Sequence, residues 1–238
     1  MADAPPTIQL QTWDPASIRT PFAALLVASR NSGKSTLVRS LWTSTLRHHF
    51  DMVVCFCPTD FDGDYRATFD NSGSKLFYRE LRPEVLQRLM DAQEARRRAG
   101  RKMARVLLVL DDLSTSRERY DDMLKHLYTR GRHYQVSIIF STQATQLTDT
   151  VWRNNSDYVW VGRQISARSR EMVVEQFLMG TVDEDELPPG SKEKTLLKRV
   201  LKQNTKDHSF VVIDYATGTG DIDDTVFRYK APALPKVA

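Results

Sequence analysis

The sequence predicts an α/β protein with a mostly parallel central sheet flanked by helices on both faces. Three observations carry this. Apolar runs alternate with amphipathic segments along the chain. The first strong run, Phe22-Ala-Ala-Leu-Leu-Val27, leads directly into Ala28-Ser-Arg-Asn-Ser-Gly-Lys-Ser-Thr36. A later run, Arg105-Val-Leu-Leu-Val-Leu-Asp-Asp112, ends in paired carboxylates. The 238 residues, 41% of them hydrophobic, suit one large domain with a sizeable core. We expect 1–20 to be an N-terminal extension and 21–238 a single domain, with C-terminal helices and strands from about 166.

In chain order, short apolar runs bounded by polar residues predict strands at 22–27, 51–57, 75–79, 105–110, 136–141, 157–161 and 209–214. Helical periodicity predicts helices at 34–46, 83–99, 118–130, 168–179 and 191–203. In 51–57, strand alternation points Cys55 and Cys57 to one face. Two cysteines without further Cys or His ligands exclude a disulfide framework or zinc site, leaving reduced packing residues. The stretch 58–74 reads as a loop. Its Asp60-Phe-Asp-Gly-Asp64 is not a calcium loop, because Tyr65 stands where Gly is needed and Asn71 where Glu is needed. His48 and His49 read as a solvated helix end, and Trp42, Trp152 and Trp160 as core or interface. The acidic, Pro-Pro-Gly-bearing segment 183–190 reads as a mobile surface loop. No apolar run approaches the roughly 18 residues of a membrane span, and Met1 to Pro15 lacks a signal-peptide core, so a soluble, intracellular protein is expected.

The chemistry begins at 28–36. A strand running into Gly33-Lys34-Ser35 and then a helix is the order a phosphate-binding loop needs. Backbone N–H groups of Ser29, Arg30, Asn31, Ser32, Gly33 and Thr36 would cradle phosphates, Lys34 would reach the β and γ oxygens, and Ser35 would bind Mg²⁺. Ala28 departs from the usual Gly, which a negative φ there would permit. Asp111 would hold the Mg²⁺ and Asp112 would polarise the attacking water of a nucleotide triphosphate such as ATP. Val136-Ser-Ile-Ile-Phe-Ser-Thr-Gln143 ends in polar groups; Gln143 would contact the γ phosphate or the water, or else these residues cap a strand. Arg130 and Arg132, in Arg130-Gly-Arg-His133, would serve either a neighbouring subunit's ATP or their own helix end.

These motifs, in this order and in so compact a chain, resemble the genome-packaging ATPases of large DNA viruses, of poxvirus type, within the FtsK-HerA superfamily of P-loop ATPases. The resemblance covers roughly 20–165 and rests most on Ser141-Thr-Gln143 following Arg132-His133. It implies a RecA-like fold, Mg²⁺-dependent ATP hydrolysis, and a homo-oligomeric ring, pentamer or hexamer, that translocates double-stranded DNA. It implies capsid or portal partners, no membrane, and residence in the host cytoplasm, a viral factory or the virion. Lys34, Ser35 and Asp111 take the family's phosphate and metal roles, Gln143 its γ-phosphate sensor, and Arg132 its arginine finger supplied in trans. Asp112 stands where relatives often carry Glu, one methylene longer.

The net charge of +4 is compatible with a polyanionic partner. Arg96, Arg97, Arg98, Arg101 and Lys102 would make sequence-independent DNA contacts, or form a solvated helix end. Lys194, Lys198 and Lys202, opposite Leu197, Val200 and Leu201, would track a DNA backbone or form a wet face, and 58–74 is a further DNA-facing alternative. An ATP-dependent switch or assembly adaptor with slow turnover is the alternative function. A P-loop kinase fits less well, because no arginine-rich lid is evident.

Overall fold

The computed structural model describes residues 8–69, 74–113, 121–143, 150–182, 187, 192–216 and 220–234. Its strands are Gln11–Thr12 (β1), Ala23–Val27 (β2), Met52–Phe56 (β3), Ser74–Tyr78 (β4), Val106–Asp111 (β5), Val136–Thr142 (β6), Tyr158–Val161 (β7), Ser209–Asp214 (β8) and Val226–Lys230 (β9). Its α-helices are Lys34–Ser44 (α1), Asp64–Phe69 (α2), Pro83–Arg98 (α3), Asp121–Arg130 (α4), Thr150–Asn154 (α5), Ala167–Val173 (α6), Glu193–Asn204 (α7) and Ile222–Thr225 (α8). The strands form one sheet in the order β1-β9-β8-β7-β2-β6-β5-β3-β4. Every pairing is parallel except the two that β8 makes, with β7 and β9.

Continuous apolar strands follow from burial on both faces. Ala23, Leu25 and Val27 enter one core with Leu108, Leu110, Ile138 and Phe140. Their alternates Ala24 and Leu26 enter the other with Leu107, Val109 and Ile139. Cys55 and Cys57 share that second core as free thiols, and Trp42, Trp152 and Trp160 are all buried. Because β2, β5 and β6 run side by side in parallel, their carboxyl ends stop along one edge, where open α/β sheets place their ligand sites.

Several elements differ from expectation. Residues 11–18 are not an extension: β1 pairs with β9, and Trp13, 2% exposed, meets Tyr158 and Trp160 at 6.0 Å and Tyr229 at 5.6 Å. A strand of two residues is too short to show a period. The expected loop at 58–74 contains α2, whose Tyr65 and Phe69, one helical turn apart, are buried. The expected helix at 168–179 is α6 followed by a π-helical turn, Val174–Leu178. Helices α5 and α8 and strand β9 were also not expected. Of 183–190, only Leu187 lies within the described residues.

Candidate active site

Strand β2 delivers the chain at Val27 into a loop strung between its neighbours. Ala28 N–H donates to Thr142 O at 3.2 Å and Ser29 N–H to Arg163 O at 3.0 Å. Ala28 has a negative φ, and the clearance comes from elsewhere. A Cβ on Gly162 would lie 2.6 Å from Ala28 Cβ and 2.8 Å from Phe210 Cε1. The glycine absent at 28 is thus matched by one on the adjacent strand end. Asn31 and Gly33 take left-handed φ of 56° and 91°, and Gly33 caps α1. No side chain caps that helix and its first turn is free of acids, which leaves its first amides for an anion.

Lys34 folds back over the loop, donating to Ala28 O at 3.1 Å and Ser29 O at 3.3 Å. Burial lowers its pKa, against the opposing pull of Asp111 and Asp112. A cavity of about 510 Å³ is lined by the loop from Arg30 to Thr36, by Thr59, by Asp111 and Asp112 at the end of β5, and by Gln143 at the end of β6. Ser29 is a correction: it does not line this cavity. Its carbonyl accepts from Lys34 and Ser32, and its hydroxyl accepts from Ile165 N–H at 3.3 Å.

Asp111 is 3% exposed, and Cys57 Sγ donates to its Oδ2 at 3.7 Å while Oδ1 has no hydrogen-bond partner. Burial raises its pKa; the Ser141 and Tyr65 hydroxyls and the Lys34 charge oppose that rise. The Ser141 and Tyr65 hydroxyls act on the carboxylate from beyond hydrogen-bonding geometry, since neither closes a bond. Burial also raises the Tyr65 pKa, with the Asp111 charge adding to the rise and the Ser35 hydroxyl opposing it. Helix α2 is held there by Arg39, bound to Asp64 at 2.6 Å and to Thr68 Oγ1 at 2.8 Å. An unpartnered buried carboxylate oxygen beside a Ser hydroxyl fits Mg²⁺, which takes one or two protein oxygens and completes its shell with phosphates and water. Asp112 has a left-handed φ of 53°, a strained backbone of the kind that collects at functional sites.

Tyr65 and Thr59 were not proposed as site residues from the sequence. The i, i+4 spacing of Tyr65 and Phe69 was the available signal for α2, masked by acidic and glycine residues before it.

The other proposed residues lie away from this cavity. Arg132, beside the start of β6, binds Asp157 at 2.6 Å, whereas exposed Arg130 makes no side-chain bond among the described residues. Arg97 and Arg98 both bind Glu94, and Arg96 donates to Lys102 O. Lys194 binds Glu171 at 2.6 Å and also Glu175, and Lys198 binds Glu171 at 3.0 Å, which ties α7 to the α6 segment. Arg101, Lys102 and Lys202 are exposed and make no side-chain bond among the described residues. Among those residues, no helix is long and apolar enough to cross a membrane.

The model of the family described as Poxvirus A32 protein matches residues 15–179. Protein 015R of frog virus 3 (isolate Goorha) is 24% identical over 211 residues, covering 87% of this chain and 61% of the relative. The chain therefore spans about three fifths of that relative's length. Protein L437 of Acanthamoeba polyphaga mimivirus is 22% identical over 219 residues, covering 87% of this chain and 72% of the relative. Among solved structures, B204, the DNA-packaging ATPase from Sulfolobus turreted icosahedral virus, superimposes with a TM-score of 0.62 at 14% identity, covering 90% of this chain and 98% of B204. The pCW3 conjugation coupling protein TcpA gives 0.58 at 13% identity, covering 89% of this chain and 60% of TcpA. At these identities the likeness concerns the fold alone, a mostly parallel sheet flanked by helices that this chain shares with those ATPases.

Proposed function

The chain belongs to the Poxvirus A32 protein family, and from that premise we propose that it is an ATP-hydrolysing motor that translocates double-stranded DNA, packaging a viral genome into its capsid as a homo-oligomeric ring. The observation that carries this reading is the convergence of Lys34, Ser35, Asp111, Asp112 and Gln143 on one cavity. The free amides of the loop and of the α1 start, with Lys34, bind the β and γ phosphates. Ser35 and Asp111 would hold Mg²⁺, which when bound neutralises charge on those phosphate oxygens. Cys57 orients the Asp111 carboxylate through its thiol. Asp112 positions the attacking water and accepts its proton. Gln143 hydrogen-bonds the water and the γ phosphate, and carries the loss of that phosphate into β6.

A heterologous ring contact sets one subunit's surface against the next subunit's site. Arg130, which makes no side-chain bond among the described residues, is the better arginine to reach across, because Arg132 holds Asp157. Of the basic residues singled out for DNA, exposed Arg101, Lys102 and Lys202 make no side-chain bond among the described residues and are available to DNA phosphates.

The test is ATP turnover with and without double-stranded DNA, for the unmutated protein and Lys34→Ala. DNA stimulation that is abolished in Lys34→Ala supports the motor. Turnover that ignores DNA sinks translocation in favour of a nucleotide switch, and turnover that survives Lys34→Ala sinks the site.

A further inference from the structure

Among the described residues, the two most exposed large apolar side chains are Phe61, at 74%, and Ile165, at 66%. Each stands among charges, and the charges are opposite in sign. Phe61 belongs to Asp60-Phe-Asp-Gly-Asp64, between β3 and α2. Ile165 lies on the wall of a cavity of about 410 Å³ that is lined also by Arg163, Gln164, Arg170, Lys202 and Lys206, with no acid among its lining residues. The Phe61 turn is held from within: Phe61 N–H donates to Thr59 O at 2.9 Å, Tyr65 N–H donates to Asp60 Oδ1 at 3.1 Å, and Asp64 binds Arg39 at 2.6 Å. Arg79 lies 6.0 Å from the Phe61 ring centroid and leaves the ring open to solvent. Asp62 is exposed and makes no side-chain bond among the described residues, so it is the acid that this turn offers outward. The turn is a knob, aromatic at its tip and acidic beside it, that is ordered before any partner arrives.

The cavity is equally prepared as a hole. Ile165 N–H donates to Ser29 Oγ at 3.3 Å, and Arg170 donates to the Gln164 and Ile165 carbonyls at 3.0 and 2.9 Å. Arg163 and Lys206 are exposed and make no side-chain bond among the described residues. Such a wall suits an aromatic ring with a carboxylate beside it: the ring would meet Ile165 and the Arg163 guanidinium, and the carboxylate would meet Lys206. One chain cannot seat its own knob. The strands that lead to knob and hole, β3 and β7, are four spacings apart in the sheet, about 19 Å. The knob runs into α2, which packs in one core, and the hole into α6 and α7, which pack in the core on the opposite face. The phosphate cavity lies between them, with Thr59 in its wall on the knob side and Asn31 and Ser32 on the other. A small cavity of about 170 Å³, with Arg163 and His208 in its walls, joins those last two residues to the hole.

Two patches that fit each other and not themselves make a head-to-tail contact. We infer that the Phe61 knob of one copy of this chain seats in the Ile165 hole of a second copy, with Asp62 of the first against Lys206 of the second. The inference rests on the homo-oligomeric reading above and names the surfaces that carry it. Both halves of the contact are tied to the phosphate cavity, since Thr59 accepts from Phe61 and Ser29 from Ile165.

The experiment measures mass in solution by light scattering over a range of concentrations, with Mg²⁺ and a slowly hydrolysed ATP analogue, for the full chain, Phe61→Ser and Ile165→Ser. Both positions are exposed, and an unchanged melting temperature checks that the variants fold. The unmutated chain should assemble, and each variant should self-associate about tenfold or more weakly. An equal mixture of the two variants should form dimers and nothing larger, because Phe61→Ser keeps its hole, Ile165→Ser keeps its knob, and a pair can make one whole contact. Asp62→Lys and Lys206→Glu should each weaken assembly, and the two combined in one chain should recover it; a combination no better than its parts overturns that pairing. Unchanged assembly in Phe61→Ser or Ile165→Ser, or a mixture that forms no dimer, overturns the contact while the ring reading stands. Intact assembly in Ile165→Ser with DNA-stimulated turnover lost also overturns it, and gives the hole to DNA instead. An unmutated chain that stays single at every concentration overturns the ring reading, and this contact with it.

Discussion

Where β2, β5 and β6 end, buried polar atoms are left without partners; where they begin, polar side chains pair with one another and with the backbone. At the ending edge Asp111 Oδ1, Ser141 Oγ, Tyr65 Oη and Gln164 Oε1 are buried with no partner among the described residues. Asn31, Asp112, Asp207 and His208 there hold left-handed backbones without being glycine. At the starting edge Asp157 accepts from Ala23 N–H at 2.8 Å and from Arg132 at 2.6 Å, and Phe22 N–H donates to Ser137 Oγ at 3.1 Å. Asp51 binds Arg105 at 2.8 Å, and Gln93 Nε2 donates to Tyr134 O at 2.7 Å. One edge of the same sheet holds groups ready for something outside the chain, at a cost in stability; the other spends its groups on the fold.

If that contrast is right, substitutions at the ending edge should cost function and those at the starting edge stability. The largest effect should come from Asp112→Asn, which retains the cavity's shape but not its base. ATP turnover should fall at least about 100-fold with ATP binding unchanged; turnover within a few-fold of the parent would remove Asp112 from the chemistry. Tyr65→Phe comes next. The half-saturating Mg²⁺ concentration in nucleotide binding should rise about tenfold at unchanged melting temperature, and an unmoved Mg²⁺ titration would leave the phenol a packing residue only.

Gly162→Ala probes the clearance beside Ala28. Its Cβ would sit 2.6 Å from Ala28 Cβ, and urea denaturation should show a loss of about 1–3 kcal/mol. Adding Ala28→Gly should recover part of it, and full additivity of the two would show that they do not compete for one space. At the starting edge, Arg132→Ala should cost about 1 kcal/mol by unpairing Asp157, with turnover per assembled site retained. Activity lost from this variant and restored by mixing with Lys34→Ala would instead give Arg132 the role in trans.

The smallest effect is a pH dependence. The side-chain hydrogen bond from Arg105 holds the Asp51 carboxyl at about 2, below its usual range. A depressed folded value contributes stability that is present above the unfolded value of about 3.9 and lost as pH falls towards 2. Both partners are over two fifths exposed, so Arg105→Ala should cost little stability at pH 6, and that small loss should shrink further as pH falls through 2. Equal losses at both values would assign the effect to packing.

How far the site could be read from sequence depended on how its residues are spaced along the chain. Lys34, Ser35, Asp111, Asp112 and Gln143 each stand at the end of an apolar strand or the start of the helix after it, a place that local pattern marks. Tyr65, which acts on Asp111 from behind the cavity, comes from a helix of six residues, too short for periodicity to declare. Gln164, Ile165 and His208 come from two connections some forty residues apart that only strand pairing brings together. The basic stripe on α7 shows the converse: its period was plain, but the acids of the α6 segment that bind it were not.

The sequence by itself determined the mostly parallel sheet, the glycine-bearing loop after β2 and the carboxylates at the end of β5, because strand burial and turn chemistry are local and leave a local pattern. Only the tertiary structure decided which edge carries the arginine at 132, that Gly162 makes room for Ala28, and that β8 turns back to place its first residues beside the loop. Those outcomes depend on strand order and direction, which arise from contacts between residues far apart in the chain, where no short pattern records them.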